Sequence, residues 1–561
     1  MKSPRWSFLL GATCVAWLAG CGSGAPESSG LGAGLASVDT DTDSTGDGTW
    51  MGEPIAEGCE PDGGVPTDGG VPSVDGGVPS ADAGVPWGLV WVKSTTRFHT
   101  SVGVAQQEED LSANPPEILV PTGSTFELHL GSAHPEGGWL FTGIRQGAYY
   151  LRRGSTSLIT SARYVDVGRN RLGRSDAQYV DVASSPLQVN LLNLAPWQNW
   201  ESGTQPGSSL QLTSSQVDLY STASVFDFIP DGATSIVTSN AVMDSGLGNL
   251  PVFEADKGDR LYVNQLSEFS AGSLPDGRPL GYTAVERSAQ VGAFDFLPDG
   301  FTPMPVTGLL QPARMREFPI EWRLPDFARF ASHVHPNAQP GIPRLDLVPG
   351  PHGLQEGWIG YTGELLSLSL PRGTAYDLTA RLRFGNPYPS NWGVIGVVSY
   401  SFRNQERMPD GSGRLGSITG GYTEWDSIDN LIAGPLVPKL SPPLAFTIDG
   451  VPATIPRRVG TVSPVLAWTP PLVGTPSAYR VSIQRFDPDL GFAFTWRVLY
   501  MPGSVTQVRL PPDTLEPATS YIATVSAIDS PNVAIENFPF RTLDRLPYRS
   551  FATTSSYFTT P

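Results

Sequence analysis

Leu515-Glu516-Pro517-Ala518-Thr519-Ser520-Tyr521 leads straight into Ile522-Ala523-Thr524-Val525-Ser526-Ala527. In the second half Ala523, Val525 and Ala527 fall on one side, as a strand with a buried face requires. The first half is a turn stiffened by Pro517, whose ring fixes φ. The same alternation occurs upstream in Ala478-Tyr479-Arg480-Val481-Ser482-Ile483-Gln484. There Tyr479, Val481 and Ile483 point inward, while Arg480, Ser482 and Gln484 face water.

Together these stretches resemble a fibronectin type III domain. Leu515–Tyr521 matches its L-x-P-x-T-x-Y tyrosine corner. Ser463-Pro464-Val465-Leu466-Ala467-Trp468-Thr469-Pro470-Pro471 is similar to strand B, with Trp468 as the core tryptophan, and Ala478–Gln484 to strand C. The resemblance begins near Leu440 and implies a sandwich over 440–561. Two positions stay open for its last strand. One is Phe538–Thr542 with a tail beyond; the other is Ser555–Thr560 after a long excursion between strands F and G. No Arg-Gly-Asp occurs in the chain, so the integrin-type ligand of some such domains is not implied.

The rest of the folded part shows the same β-character. Short alternating or apolar runs recur at Phe126–Leu130, Leu187–Leu194, Leu365–Leu370 and Val394–Tyr400. Turn dipeptides such as Asp231-Gly232, Asp276-Gly277, Asp299-Gly300 and Asp410-Gly411 punctuate them. Long helical periodicity is missing, and the fold class expected is all-β, a string of β-sandwich modules. Gly147-Ala148-Tyr149-Tyr150-Leu151 resembles a strand of transthyretin-like and carboxypeptidase-regulatory sandwiches, which implies structure or binding rather than chemistry. Phe226-Asp227-Phe228-Ile229-Pro230-Asp231-Gly232 returns as Phe294-Asp295-Phe296-Leu297-Pro298-Asp299-Gly300. The alternate Phe residues are expected on one face of a strand that Pro-Asp-Gly closes with a turn. The expected division is 87–183, a duplicated pair of β-modules over 184–316, 317–439 and 440–561. The alternative is a β-propeller over 87–436 ahead of the fibronectin-like sandwich.

The N-terminus states an address. Lys2 and Arg5 precede Phe8–Ala19, which carries no charge and is too short to cross a bilayer, for which about 20 apolar residues are needed. It suits the core of a secretory signal over 1–20. Leu18-Ala19-Gly20-Cys21 resembles the lipobox of bacterial lipoproteins. The resemblance implies diacylglycerol on the Cys21 sulfur and a third acyl chain on its amine. Gly22 in place of Asp implies delivery to the outer membrane if the cell is Gram-negative. Residues 21–86 are rich in Gly, Pro, Ser and Asp and cannot bury enough to offset their ordering entropy. Repeats at Val65-Pro66, Val71-Pro72 and Val78-Pro79 make them an acidic spacer spanning about 45 Å as a coil. Asp39-Thr40-Asp41-Thr42-Asp43 opens like a calcium loop but has Ser44 and Trp50 where Gly and Glu are needed. The cysteines are Cys14, Cys21 and Cys59, so after processing and lipidation Cys59 has no intrachain partner.

Formal charge is −18 and only four lysines occur, without any basic cluster. Nucleic-acid partners are therefore not expected. His333 and His335 would share one face of a strand, compatible with two metal ligands, but no third ligand is evident. Gly-x-Ser-x-Gly, Ser-x-x-Lys, His-Glu-x-x-His and phosphate-loop motifs are missing. A Ser-His-Asp triad assembled from distant residues stays open. Asp227, Asp231, Asp295 and Asp299 are acids that could pair for glycoside cleavage, although their turn position explains two of them. Trp197, Trp200 and Trp392, with Trp358 and Trp425, could line a sugar platform, though Trp is also a usual core residue. No cofactor is implied. The reading is a lipid-anchored envelope protein with an adhesion, scaffold or binding role, meeting the membrane through its lipid and a protein or polysaccharide through its body. A carbohydrate- or peptide-binding lipoprotein and an envelope hydrolase are the alternatives.

Overall fold

The computed structural model describes residues 88–100, 103–245, 248–351 and 353–561. Cys21, Cys59 and the spacer lie outside them. The described chain is all-β, with strands of two to fifteen residues and three brief α-helices. The four runs marked by alternation or apolar character fall on the strands Thr125–Leu130, Ser184–Leu192, Leu366–Ser369 and Gly393–Arg407, two of them running a residue or two past the strand ends.

Residues 444–559 form a two-sheet sandwich. Leu444–Ile448, Val465–Thr469 and Gln507–Arg509 make one sheet. Phe492–Pro502, Ala478–Asp487, Ser520–Asp529 and Tyr548–Thr554 make the other, in that order. Strands A, B and E thus face strands C′, C, F and G, the arrangement of a fibronectin type III-like fold. Tyr479, Val481, Ile483, Ala523, Val525 and Ala527 are all fully buried between the sheets. Trp468 packs edge-on against Tyr479 at 5.2 Å. The last strand is Tyr548–Thr554, continued by Phe558–Thr559 against Ser520 and Tyr521. The main strand lies at neither of the two positions left open: Tyr548–Thr554 falls between them, only the short Phe558–Thr559 lies within Ser555–Thr560, and Phe538–Thr542 lies in the excursion that precedes both.

This second sheet does not end at its own edges. On the C′ side, Val498, Leu499 and Tyr500 pair in parallel with Thr156, Ser157 and Leu158. On the G side, Tyr548 and Phe551 pair antiparallel with Trp425 and Tyr422. The pairing runs on through Gly393–Arg407, Gln339–Gly350, Leu366–Ser369 and Pro279–Val291, then Leu261–Ser273, Ser209–Ser214, Leu219–Val225 and Ser235–Asp244, to Ser184–Leu192, and twenty-two strands are linked in this way. Both edges of the fibronectin-like sheet are therefore capped, which removes its open hydrogen-bonding groups. A propeller of separate blades, the alternative architecture, is not what forms.

The outer face of the same sheet is also covered. Ala478, Tyr500, Ile528 and Tyr548 share a core with Val90, Phe141, Tyr149 and Val165 of segment 88–183. Strand F is consequently buried on both faces.

The Phe-Asp-Phe repeat has two different settings. Neither copy is a strand. The first leads into Ser235–Asp244, antiparallel to Ser184–Leu192, and the second into Met304–Leu309, parallel to that strand. They lie at opposite ends of one sheet, because Ser235 pairs with Leu192 while Met304 pairs with Leu187. Phe228 is 83% exposed, whereas Phe296 is buried and Phe294 stacks on Phe253 at 4.9 Å.

Candidate functional site

His333 and His335 fall at the end of a short helix, Ala331–Val334, not on a strand, so the one-face argument does not apply. His335 is buried and its Nε2 lies 3.1 Å from Ser556 Oγ and 3.3 Å from Glu406 Oε1. Ser556 donates to Glu406 and lies 2.9 Å from the Thr454 carbonyl. Serine, histidine and a carboxylate thus meet, the composition of a triad. The geometry is not that of a relay. In a relay the acid holds Nδ1 and the serine faces Nε2. Here both oxygens converge on Nε2, and Nδ1 accepts the Asn337 amide N–H at 3.2 Å. The serine proton goes to the acid rather than the imidazole. Burial holds His335 below its ordinary range, with Glu406 pulling the other way. The cluster, buried at His335 and Ser556, ties the end of the chain to the strand ending at Arg407.

A second buried cluster surrounds Glu364. Its Oε2 accepts from Gln211 Nε2 at 2.6 Å and Tyr220 OH at 3.3 Å, and Arg344 Nη2 lies 3.5 Å from Oε1. Burial raises the Glu364 carboxyl against the pull of Arg344. Beside it, Tyr388 OH touches Thr213 Oγ1, Asn264 Nδ2 and the Thr362 carbonyl within 3.1 Å. Gln211, Asn264 and Ser288 occupy one register row across three strands, which explains why three polar side chains fall together inside. Along the row Gln211 donates to Glu364, Asn264 donates to Tyr388 and Ser288 donates to Asn264 Oδ1 at 2.7 Å, while Gln211 Oε1 has no partner among the described residues.

Two ion-pair sites hold the sheet's junctions. Glu424, only 3% exposed, receives Arg549 Nε at 2.9 Å, Lys439 Nζ at 2.8 Å and the Tyr422 hydroxyl at 2.8 Å. Glu424 and Arg549 face each other directly across the paired strands. The excursion between strands F and G docks on segment 88–183. Arg541 pairs with Asp166 at 3.2 Å, Asn537 donates to the Tyr164 carbonyl at 2.8 Å, and Asp544 meets Arg97 at 3.3 Å.

The remaining candidate residues are dispersed. Asp231 accepts from the Asn199 backbone N–H at 2.9 Å, and Asp299 from the Phe301 and Thr302 N–H groups at 2.8 and 2.6 Å. Asp227 is held by Thr238 and Asn240, and Asp295 by the Ala255 N–H. The two repeat turns are separated by five residues of strand, about 17 Å, too far for the acids of one copy to work with those of the other. Trp392 is buried and stacks on Tyr388 at 4.6 Å, and Trp358 packs on Trp425 in the core. Trp197 packs against its own module's core, and Trp200 is 48% exposed. The tryptophans form no common platform. Among the described residues no group of three or more His, Cys, Asp or Glu is placed to hold a metal ion.

No family model matches this chain, and no curated protein matches it. Among solved structures, the chicken CNTN1 FN1-FN3 domains align with it at 10% identity over 69% of this chain and 99% of that one, with a TM-score of 0.13. At that score the likeness carries no argument, and the fibronectin-like assignment stands on the strand order and the tyrosine corner.

Proposed function

We propose that this chain is a lipid-anchored protein of the bacterial cell envelope whose body binds or scaffolds rather than catalyses. One observation carries the reading. The excursion between strands F and G, at the end where sandwich domains of this kind keep their loops, is docked on segment 88–183, and both edges of its sheet are capped. The body is built as one stiff unit at the end of an acidic spacer, which suits presentation of a surface at a distance from a membrane. The His335 cluster, with the serine turned toward the acid, does not favour the hydrolase alternative.

The test is protease shaving of intact cells with mass spectrometry of the released peptides, alongside fractionation of a Cys21→Ser variant. Peptides from 88–561 should be released without lysis, and the variant should leave the membrane fraction. Release only after outer-membrane lysis would overturn the adhesion role. A variant that still sediments with membranes would overturn the anchor.

A further inference from the structure

Where segment 88–183 meets the fibronectin-like sandwich, a cleft of about 380 Å³ opens, walled by Asn114, Glu117 and Arg152 on one side and Arg497 and Asp513 on the other. The two arginines differ. Arg152 is engaged: Nε and Nη2 donate to Glu117 Oε2 at 2.9 and 2.7 Å, and Nη1 donates to the Pro512 carbonyl at 3.2 Å. Arg497 donates only to the Trp496 carbonyl, at 2.9 Å, and lies against the Trp496 ring at 4.4 Å. Among the described residues no carboxylate stands within ion-pair distance of it. Burial and the charge of Arg152 both work against the Arg497 cation, lowering its pKa. Glu516 and Asp513 offset part of this from a distance, but a half-buried guanidinium beside a second one, with no carboxylate bonded to it among the described residues, is a costly arrangement that an incoming anion relieves.

Asp513 presents the opposite case. It is exposed, sits in the left-handed region at φ 62°, and its side chain makes no hydrogen bond or ion pair among the described residues. An unpaired cation and an unpaired anion therefore face one cleft without closing on each other. We propose that this cleft binds a small zwitterion, a free amino acid or short peptide, with its carboxylate on Arg497 and its ammonium on Asp513. The planar guanidinium matches a carboxylate through two parallel hydrogen bonds. A carboxylate such as Asp513 only accepts, so it selects a ligand that donates. The volume lies in the usual range for small-ligand sites, about 300–1,000 Å³. A bare anion would meet Asp513 and Glu117 as like charges, and the charge pattern favours a dipolar ligand over an acidic sugar. This deepens the binding role proposed above and rests on it.

The probe is the dipeptide Ala-Ala, titrated by calorimetry into the full chain in detergent, beside N-acetyl-Ala-Ala, Ala-Ala-amide and glucuronate. Ala-Ala should bind, and loss of either terminal charge should weaken binding at least tenfold. Arg497→Gln should abolish the preference over the amide, and Asp513→Asn the preference over the acetylated form. Asp513 is exposed, so its variant should keep the wild-type melting temperature. No binding of Ala-Ala, equal binding of all four probes, tighter binding of glucuronate, or variants that bind like wild type would each overturn the site. None of these outcomes touches the surface-shaving result, so the two readings fail separately.

Discussion

Arg541 and Asp166 stand 375 positions apart in the chain and meet at 3.2 Å, each nearly buried. Asp166 Oδ1 also accepts the backbone N–H groups of Thr95 and Gly168 at 2.9 Å, and Arg541 donates to the Thr95 carbonyl at 2.6 Å. One carboxylate thus fixes the strand of one segment and the excursion of another. Removing one partner of such a pair leaves a buried charge alone and costs about 3–5 kcal/mol. Asp166→Ala should lower stability by about that amount in urea unfolding. It should also expose residues 530–547 to limited proteolysis before the rest of the body.

The two copies of the Phe-Asp-Phe repeat should respond unequally. Phe296 is buried against Phe253, so Phe296→Ala should cost about 3 kcal/mol or more. Phe228 is exposed, so Phe228→Ala should stay within about 0.5 kcal/mol of wild type. Denaturant midpoints of the two variants, measured side by side, decide the matter.

The tyrosine corner gives a third expectation. Tyr521 OH accepts the Glu516 N–H at 2.8 Å. Tyr521→Phe keeps the ring in the core and orphans that N–H, at a cost of about 1–2 kcal/mol. Thermal unfolding of the variant should show the loss without any change in circular dichroism.

Acid–base behaviour gives a fourth. Burial pushes the Asp218 carboxyl up to about 6, against the pull of Arg171. Its folded value lies above its unfolded one, so the native state binds the proton more tightly. The stabilising contribution is whole below the unfolded value near 4 and fades as pH rises to about 6. Asp218→Asn should therefore raise the melting temperature at pH 7–8 and leave it unchanged at pH 3.5. Asparagine suits the left-handed backbone there, at φ 47°.

Local pattern carried much of the fold into the sequence. The corner, Trp468 and the alternation of Tyr479, Val481 and Ile483 all report contacts within one sandwich, where spacing of two is diagnostic. What escaped was contact between distant segments. Ile522 and Ile528 sit at outward positions of strand F, and their apolar character is the one local sign that its outer face is covered. The pairing of Thr156–Leu158 with Val498–Tyr500 leaves no periodic trace, because an edge strand looks alike whether capped or free. The one-face argument for His333 and His335 required a strand, whereas Leu324-Pro325-Asp326 just upstream carries a helix-start signal, with Pro in the first turn. The cleft draws its arginines from two segments, 152 and 497, which no spacing could join.

The order of synthesis adds a consequence of the shared core. Residues of segment 88–183 are made well before Ala478, Tyr500, Ile528 and Tyr548, which complete their core. Non-local contacts of this kind reward the chain only after loop closure has been met. This early segment must wait, incompletely packed, for nearly the whole polypeptide to follow. A chain cut short before strand G would lose its beginning together with its end.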